Sequence, residues 1–176
     1  MAAVDPDFIC NHSDESGRYA VSNQPTIAFW NLCCLAQALT PVLSVEQCRE
    51  ALSAFEPDYR DAYAQLFRAK LGLKSAREED ALLISNLFEI LQGNAVDYPM
   101  FFRALCAFDA EPGAPNAEAK RLFQYPEAFE YWSADYRTRL AHEAVDEGER
   151  QAGLRAVNPR YVLRNWLAQR AIEHAQ

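Results

Sequence analysis

The sequence predicts an all-α protein, and three of its features support that prediction. Glycine is scarce, with 6 in 176 residues, and runs of β-branched residues are nearly absent. After position 25, apolar residues recur at the three- and four-residue spacing of a helix face. Hydrophobic residues make up 50% of the chain, which is enough to build a core. One helical domain over residues 25–176 is therefore expected.

Residues 1–24 differ from the rest, because Asp, Asn, Ser, Gly and Pro follow one another closely and no helical period is present. This composition is typical of an irregular loop. Pro25 is placed as a first-turn proline, so a helix is expected to begin there and to end before Pro41. Its apolar residues point almost all round the axis, which predicts a helix enclosed by protein on most sides.

Capping signals predict the helices that follow. Ser44 with Gln47 and Ser75 with Glu78 each have the spacing of a capping box, and Asp97 can cap a short helix. The remaining helices are expected at about 44–55, 59–70, 77–92, 97–108, 126–143 and 158–172.

Two segments interrupt this helical pattern. Residues 109–116 hold two prolines and a glycine and are a candidate internal linker. Residues 146–153 are charged and polar, and they are predicted to form a mobile turn. Asn158 and Pro159 then resemble the N-cap and first turn of the last helix.

Charge and cysteine content exclude several classes of function. Seventeen Lys and Arg against 25 Asp and Glu give a net charge of −8, which argues against nucleic-acid or membrane partners. Five cysteines without regular spacing do not suggest a secreted disulfide framework. The first residues lack the features of a signal peptide. A cytoplasmic protein is expected.

One loop contains Cys10, His12 and Asp14, which are all residue types that bind metals. A fourth ligand is missing, since only His142 and His174 remain as histidines. An ordered, hydrogen-bonded loop is therefore favoured over a metal site. Cys10 remains a redox candidate because it lies in a polar loop.

Two adjacent cysteines, Cys33 and Cys34, lie on the all-round apolar helix, and both are predicted to be buried structural thiols. Arg155, Arg160 and Arg164 surround the start of the predicted last helix. They could hold a phosphate together with free N–H groups, or they could form structural ion pairs in this acidic chain. The residues alone contain no catalytic motif and no phosphate-binding glycine loop.

Four blocks of the sequence resemble the selenoprotein O family, also called the YdiU family. The first block is DPDFICNHSDESGRYAVSNQPTIAFWNLCCLAQAL at 5–39. The others are FRAKLGL at 67–73, VDYPMFFRAL at 96–105 and NPRYVLRNWLAQRAI at 158–172. The resemblance thus covers nearly the whole chain.

This resemblance implies a protein-kinase-like fold and the transfer of AMP from ATP, with Mg²⁺, to hydroxyl side chains of proteins. In the family, the phosphate-binding lysine and the metal-binding Asp and Asn precede the CNHSD block. Catalytic residues and cofactors are therefore expected upstream of this chain. The family also implies redox pairing of Cys10 with a cysteine in a tail expected beyond Gln176.

By the same analogy, residues 1–24 correspond to the activation segment of a kinase, and the helix over 25–39 corresponds to the buried central helix of the C-lobe. Two roles are open for four polar residues of that loop, which either face a protein substrate or fix the loop through hydrogen bonds. The four are Asn11, His12, Arg18 and Tyr19.

Two hypotheses follow. In the first, the chain is the C-terminal helical part of a protein adenylyltransferase and is inactive alone. In the second, it is a stand-alone, non-enzymatic interaction module that self-associates through exposed apolar surface.

Overall fold

The computed structural model describes residues 3–11 and 13–175, and it confirms the all-α prediction. Helix makes up 63% of the described residues, and the only β pairing among them is an isolated bridge between Ala3 and Asp97. After a short 3-10 turn at Val21–Asn23, the helices are α1 (Gln24–Leu39), α2 (Val45–Ser53), α3 (Phe55–Leu71), α4 (Asp80–Gly93), α5 (Tyr98–Leu105), α6 (Ala117–Lys120), α7 (Pro126–Leu140), α8 (Glu147–Val157) and α9 (Asn165–Ala175).

The hydrophobic core lies between the C-terminal end of α3 and helices α4 to α7. Several of its rings meet edge to face, as between Phe101 and Trp132, whose centroids are 5.8 Å apart at 70°. The Trp132 indole N–H donates to the Leu83 carbonyl oxygen at 3.0 Å, so this buried polar group is satisfied. The largest fully buried side chains are Tyr136, Phe101, Phe102, Phe108 and Phe129.

Residues 109–116, the candidate linker, form a loop closed by its two ends. The Asp109 N–H donates to Asn116 Oδ1 at 2.8 Å, and Asn116 Nδ2 donates to the Asp109 carbonyl at 2.9 Å. The core contains residues from both sides of this loop, including Phe108 and Ala119. The division of the chain at these residues stays a prediction.

Two of the predicted caps are confirmed. The Gln47 N–H donates to Ser44 Oγ at 3.2 Å, and Gln47 Oε1 accepts from the Ser44 N–H at 2.9 Å, which completes the capping box of α2. Asp97 Oδ1 accepts from the Met100 N–H at 3.0 Å and caps α5.

The capping box predicted for Ser75 and Glu78 is wrong, because α4 begins only at Asp80. The Ser75 hydroxyl instead donates to Glu143 Oε1 at 2.7 Å, across a sequence separation of 68 residues. The Arg77 N–H donates to Asp80 Oδ2. The Ser75 side chain therefore bonds to the distant Glu143 carboxylate in place of the predicted local cap.

The mobile turn predicted over 146–153 is also wrong, because this segment is the start of α8. Asp146 caps the helix by accepting from the N–H groups of Gly148 and Glu149 at 2.9 and 3.3 Å. Two side chains of α8, Arg150 and Leu154, are buried against the rest of the fold. The many polar residues of this segment gave no sign that Arg150 and Leu154 face inward.

Asn158 is not the N-cap of the last helix, which begins seven residues later at Asn165. It is fully buried at the end of α8. Its side chain donates to the Lys70 carbonyl at 3.0 Å and accepts from Lys70 Nζ at 3.1 Å. A residue with local capping chemistry therefore joins α8 to α3.

The prediction that the first helix is enclosed on most sides is wrong for this chain. No residue of α1 is buried, and Trp30 and Leu35 are 49% and 55% exposed. Within the described residues, α1 packs mainly against α2, the 3-10 turn and Phe55. Its remaining apolar faces therefore have no cover in this part of the molecule.

A buried hydroxyl connects three parts of the fold. Tyr136 of α7 donates its hydroxyl to the Leu71 carbonyl at 2.6 Å and accepts from Arg150 at 3.2 Å. Arg150 also donates to the Phe108 carbonyl at 2.6 Å. Burial raises the pKa of Tyr136, so the phenol stays protonated and can donate.

One turn of helix further along α7, Arg139 forms a second buried network. Its guanidinium donates to Asp80 at 2.6 Å, to Glu143 at 2.7 Å and to the Ser75 carbonyl at 2.8 Å. The Arg139, Asp80 and Glu143 side chains are only 2%, 4% and 5% exposed. Burial acts to raise the pKa of Glu143, but hydrogen bonds from Ser75, Arg139 and Lys74 outweigh it and lower that pKa.

We expect Arg139→Met to lower the free energy of unfolding by about 3–5 kcal/mol, because it leaves two buried carboxylates without their cation. Urea denaturation followed by circular dichroism measures this loss. Arg60→Met is the control, since Arg60 and its partner Glu56 are 75% and 71% exposed. The control should cost no more than about 1 kcal/mol, and equal losses in both variants would contradict the assignment.

A matched pair of glycine substitutions tests the turn after α3. Gly72 has φ +70°, and a Cβ there would lie 3.1 Å from Arg150 Cγ and from Leu154 Cγ. Gly72→Ala should therefore destabilise the fold by at least about 1–2 kcal/mol. Gly153, inside α8, has open space around it, and Gly153→Ala should stabilise by roughly 0.5–1 kcal/mol. Thermal melts of both variants check the opposite signs.

Candidate functional site

The loop that precedes α1 is organised around the carboxylate of Asp14. Its two oxygens accept from the Arg18 N–H at 2.9 Å and from the Tyr19 N–H at 2.7 Å. Two amide side chains close the loop from the other end, because Asn23 donates to the Gly17 carbonyl and Gln24 to the Tyr19 carbonyl. The loop is thus shaped by its own side chains.

Three of the four loop candidates lie within the described residues. Asn11 Oδ1 accepts from the Ser13 N–H at 3.1 Å and from the Ser13 hydroxyl at 2.7 Å, so this side chain has local partners. His12 lies outside the described residues. Whether these candidates face a substrate or pin the loop stays a prediction.

Arg18 and Tyr19 lie at the surface, where the loop meets α1. The Arg18 guanidinium carbon is 4.2 Å from the ring centroid of Trp30 and 5.7 Å from that of Tyr19. Tyr19 and Trp30 are 42% and 49% exposed. A cation next to two accessible rings can contact a polar or aromatic group of another molecule.

Cys10 is exposed on this loop as a free thiol, and its redox role stays a prediction. The prediction that both cysteines of α1 are buried is wrong. Cys33 is half-buried and Cys34 is exposed, because α1 itself lacks cover. Within residues 3–11 and 13–175, no group of three His, Cys, Asp or Glu side chains could hold a metal ion. The Cys10, His12 and Asp14 hypothesis includes a residue outside that range.

The three arginines singled out in the sequence do come together. Arg155 on α8 lines one cleft with Arg160 and Arg164, which lie in the segment between α8 and α9. Arg164 is held by Asp97, with two contacts of 2.9 and 3.0 Å. A phosphate at the start of the last helix stays a prediction, but the first turn of α9 begins only after these residues.

The sequence did not point to four residues that contribute to the loop before α1 and to the arginine cleft. Arg103 and Arg121 line the arginine cleft from α5 and from the end of α6, and Trp30 carries Arg18. Asp14 was considered only as a metal ligand. Its position four residues before Arg18 and three before Gly17 is a loop-capping pattern that could have been recognised. No local signal connects Arg103 or Arg121 to the other arginines.

None of the helices in the described part of the chain combines the length and apolar character needed to cross a bilayer.

Comparisons with known proteins agree on one family. A model of the family described as Protein adenylyltransferase SelO matches residues 1–176. The proteins named Protein nucleotidyltransferase YdiU from Thioalkalivibrio sulfidiphilus and Myxococcus xanthus are 50% and 46% identical to this chain, over 100% and 98% of its length. A protein of the same name from Cupriavidus metallidurans is 44% identical over 100% of the chain.

The chain spans about 35–37% of the length of these relatives. The match to the family model extends over every residue of the chain, which includes the loop, the arginine cleft and the exposed helix α1. This chain belongs to the SelO family of protein adenylyltransferases.

Proposed function

We propose that this chain is the C-terminal helical part of a protein adenylyltransferase with a kinase-like fold, and that it does not transfer AMP by itself. The observation that carries this proposal is the exposure of α1. Phe29, Trp30 and Leu35 are 40%, 49% and 55% exposed, although the helix is apolar on almost every side. Such a helix is stable in water only when other protein covers it.

The lengths of the relatives support the same proposal. The matched relatives are nearly three times as long as the chain, so they contain further protein that can cover α1. In a kinase-like fold, α1 would be the central helix of the C-lobe, and the loop before it would be the activation segment. Arg18 and Tyr19 would then face the protein that receives AMP, together with Asn11 and His12.

ATP and Mg²⁺ are proposed as cofactors of the whole protein. Transfer of a nucleotidyl group depends on positioned contacts to phosphate and metal, which supply most of the catalysis. Among the described residues, no three His, Cys, Asp or Glu side chains are grouped so that they could hold a metal ion. No step of the transfer is therefore assigned to this chain. Its proposed role is to support the site and to present the loop to the protein substrate.

A chimeric protein tests this proposal. The corresponding segment of the Myxococcus xanthus relative, which is 46% identical, is replaced by this chain. With Mg²⁺ and ATP labelled in the α-phosphate, the chimera should label protein, whereas the chain alone should not. The unaltered relative is the positive control. Label transfer by the chain alone, or a chimera that melts cooperatively but labels nothing, would contradict the proposal.

The exposed helix also favours a second candidate, a stand-alone module that self-associates through α1. This candidate predicts oligomers in sedimentation velocity and binding of a hydrophobic dye. Leu35→Glu on α1 should shift the chain toward monomer, whereas Leu82→Glu, at a residue of α4 that is 64% exposed, should not. A chain that stays monomeric and binds no dye would exclude this candidate.

A further inference from the structure

A cleft between α5, α8 and the segment before α9 concentrates positive charge in an acidic protein. The chain has a net charge of −8, yet five of its 14 arginines line this one cleft of about 370 Å³. The five are Arg103, Arg121, Arg155, Arg160 and Arg164. They come from four separate parts of the chain, so the tertiary fold brings them together.

Most of this charge is not neutralised within the described residues. Arg164 is paired with Asp97. The other four arginines have no carboxylate oxygen within 4.0 Å among residues 3–11 and 13–175, although Glu118 also lines the cleft. After Asp97 and Glu118 are counted, the cleft retains an excess of three positive charges.

Neutral groups orient several of these guanidinium groups. Arg103 donates to the carbonyl of the buried residue Asn158 at 3.3 Å, and Arg155 lies 3.5 Å from Gln151 Oε1. The Arg160 guanidinium carbon is 5.4 Å from the ring centroid of Tyr161. These partners restrict the side chains while they leave the charge and most N–H donors free for a ligand.

We propose that this cleft binds a small anion that carries phosphate groups, with the diphosphate unit as the best match. One guanidinium group can donate two parallel N–H bonds to two oxygens of a phosphate. Several cations that converge on one cleft favour a multiply charged anion over a single carboxylate. The cleft volume lies in the range of small-molecule sites. This inference does not depend on the proposed function, because residues of this chain alone form the cleft.

Calorimetric titration with inorganic pyrophosphate at low salt tests the inference. The cleft variant is Arg155→Gln with Arg160→Gln, two exposed residues whose loss should leave the melting temperature unchanged. We expect it to bind pyrophosphate at least about tenfold more weakly than the natural chain. The control is Arg49→Gln with Arg60→Gln on α2 and α3, which changes the net charge equally and should leave the affinity within about twofold.

A gain of affinity provides a second, independent readout. Glu118→Gln removes the unpaired carboxylate from the cleft and should tighten pyrophosphate binding several-fold. Displacement of pyrophosphate by ADP would support a nucleotide diphosphate as the ligand, and failure of ADP to displace it would support the inorganic ion.

Three results would overturn the inference. The first is no binding of pyrophosphate by the natural chain. The second is an equal loss of affinity in the cleft variant and its control, which would mean that general attraction to the arginines holds the anion. The third is malonate, a dicarboxylate, binding as tightly as pyrophosphate.

Discussion

Two side chains of α7 hold the turn that leaves α3, and the arrangement of the other helices depends on that turn. Tyr136 bonds to the Leu71 carbonyl, and Arg139 bonds to Ser75 and Asp80 a few residues later. Because Asp80 is also the first residue of α4, the same contacts determine where α4 returns against α7. Each of these buried polar groups needs a hydrogen-bond partner at the same time, so the turn can adopt few other arrangements.

Charge is distributed differently in the interior of the fold and in the cleft beside α8. Inside the fold, Arg139 pairs with the carboxylates of Asp80 and Glu143, and Arg150 pairs with that of Glu147. The cleft beside α8 is built differently, since three of its five arginines contact carbonyl, amide and aromatic groups and a fourth, Arg164, pairs with Asp97. Acidic residues in excess therefore do not neutralise the protein evenly. The cleft is a positive region that an overall charge of −8 conceals.

The aromatic rings connect the core to the exposed side of the molecule. Successive ring contacts run from Phe102 through Phe67 and Tyr63 along α3 to Phe55, and then to Phe29 on α1, with centroid separations of 4.6–6.5 Å. The two ends of this series differ in burial, since Phe102 is 1% exposed and Phe29 is 40% exposed. The apolar packing that makes the core thus continues to α1, which is the surface that the proposed adenylyltransferase would cover with its other parts.

The sequence by itself determined the helical class, the starts of α1 and α2 next to Pro25 and Ser44, and the family. These follow from local spacing and from long matching blocks. Only the tertiary structure decided the partners of Ser75 and Asn158, whose local capping chemistry is overridden by Glu143 and Lys70. It also decided that α1 stays exposed and that Arg103 and Arg121 join three distant arginines. Local patterns record which bonds a residue can make, whereas contacts between residues far apart in sequence depend on how the helices pack.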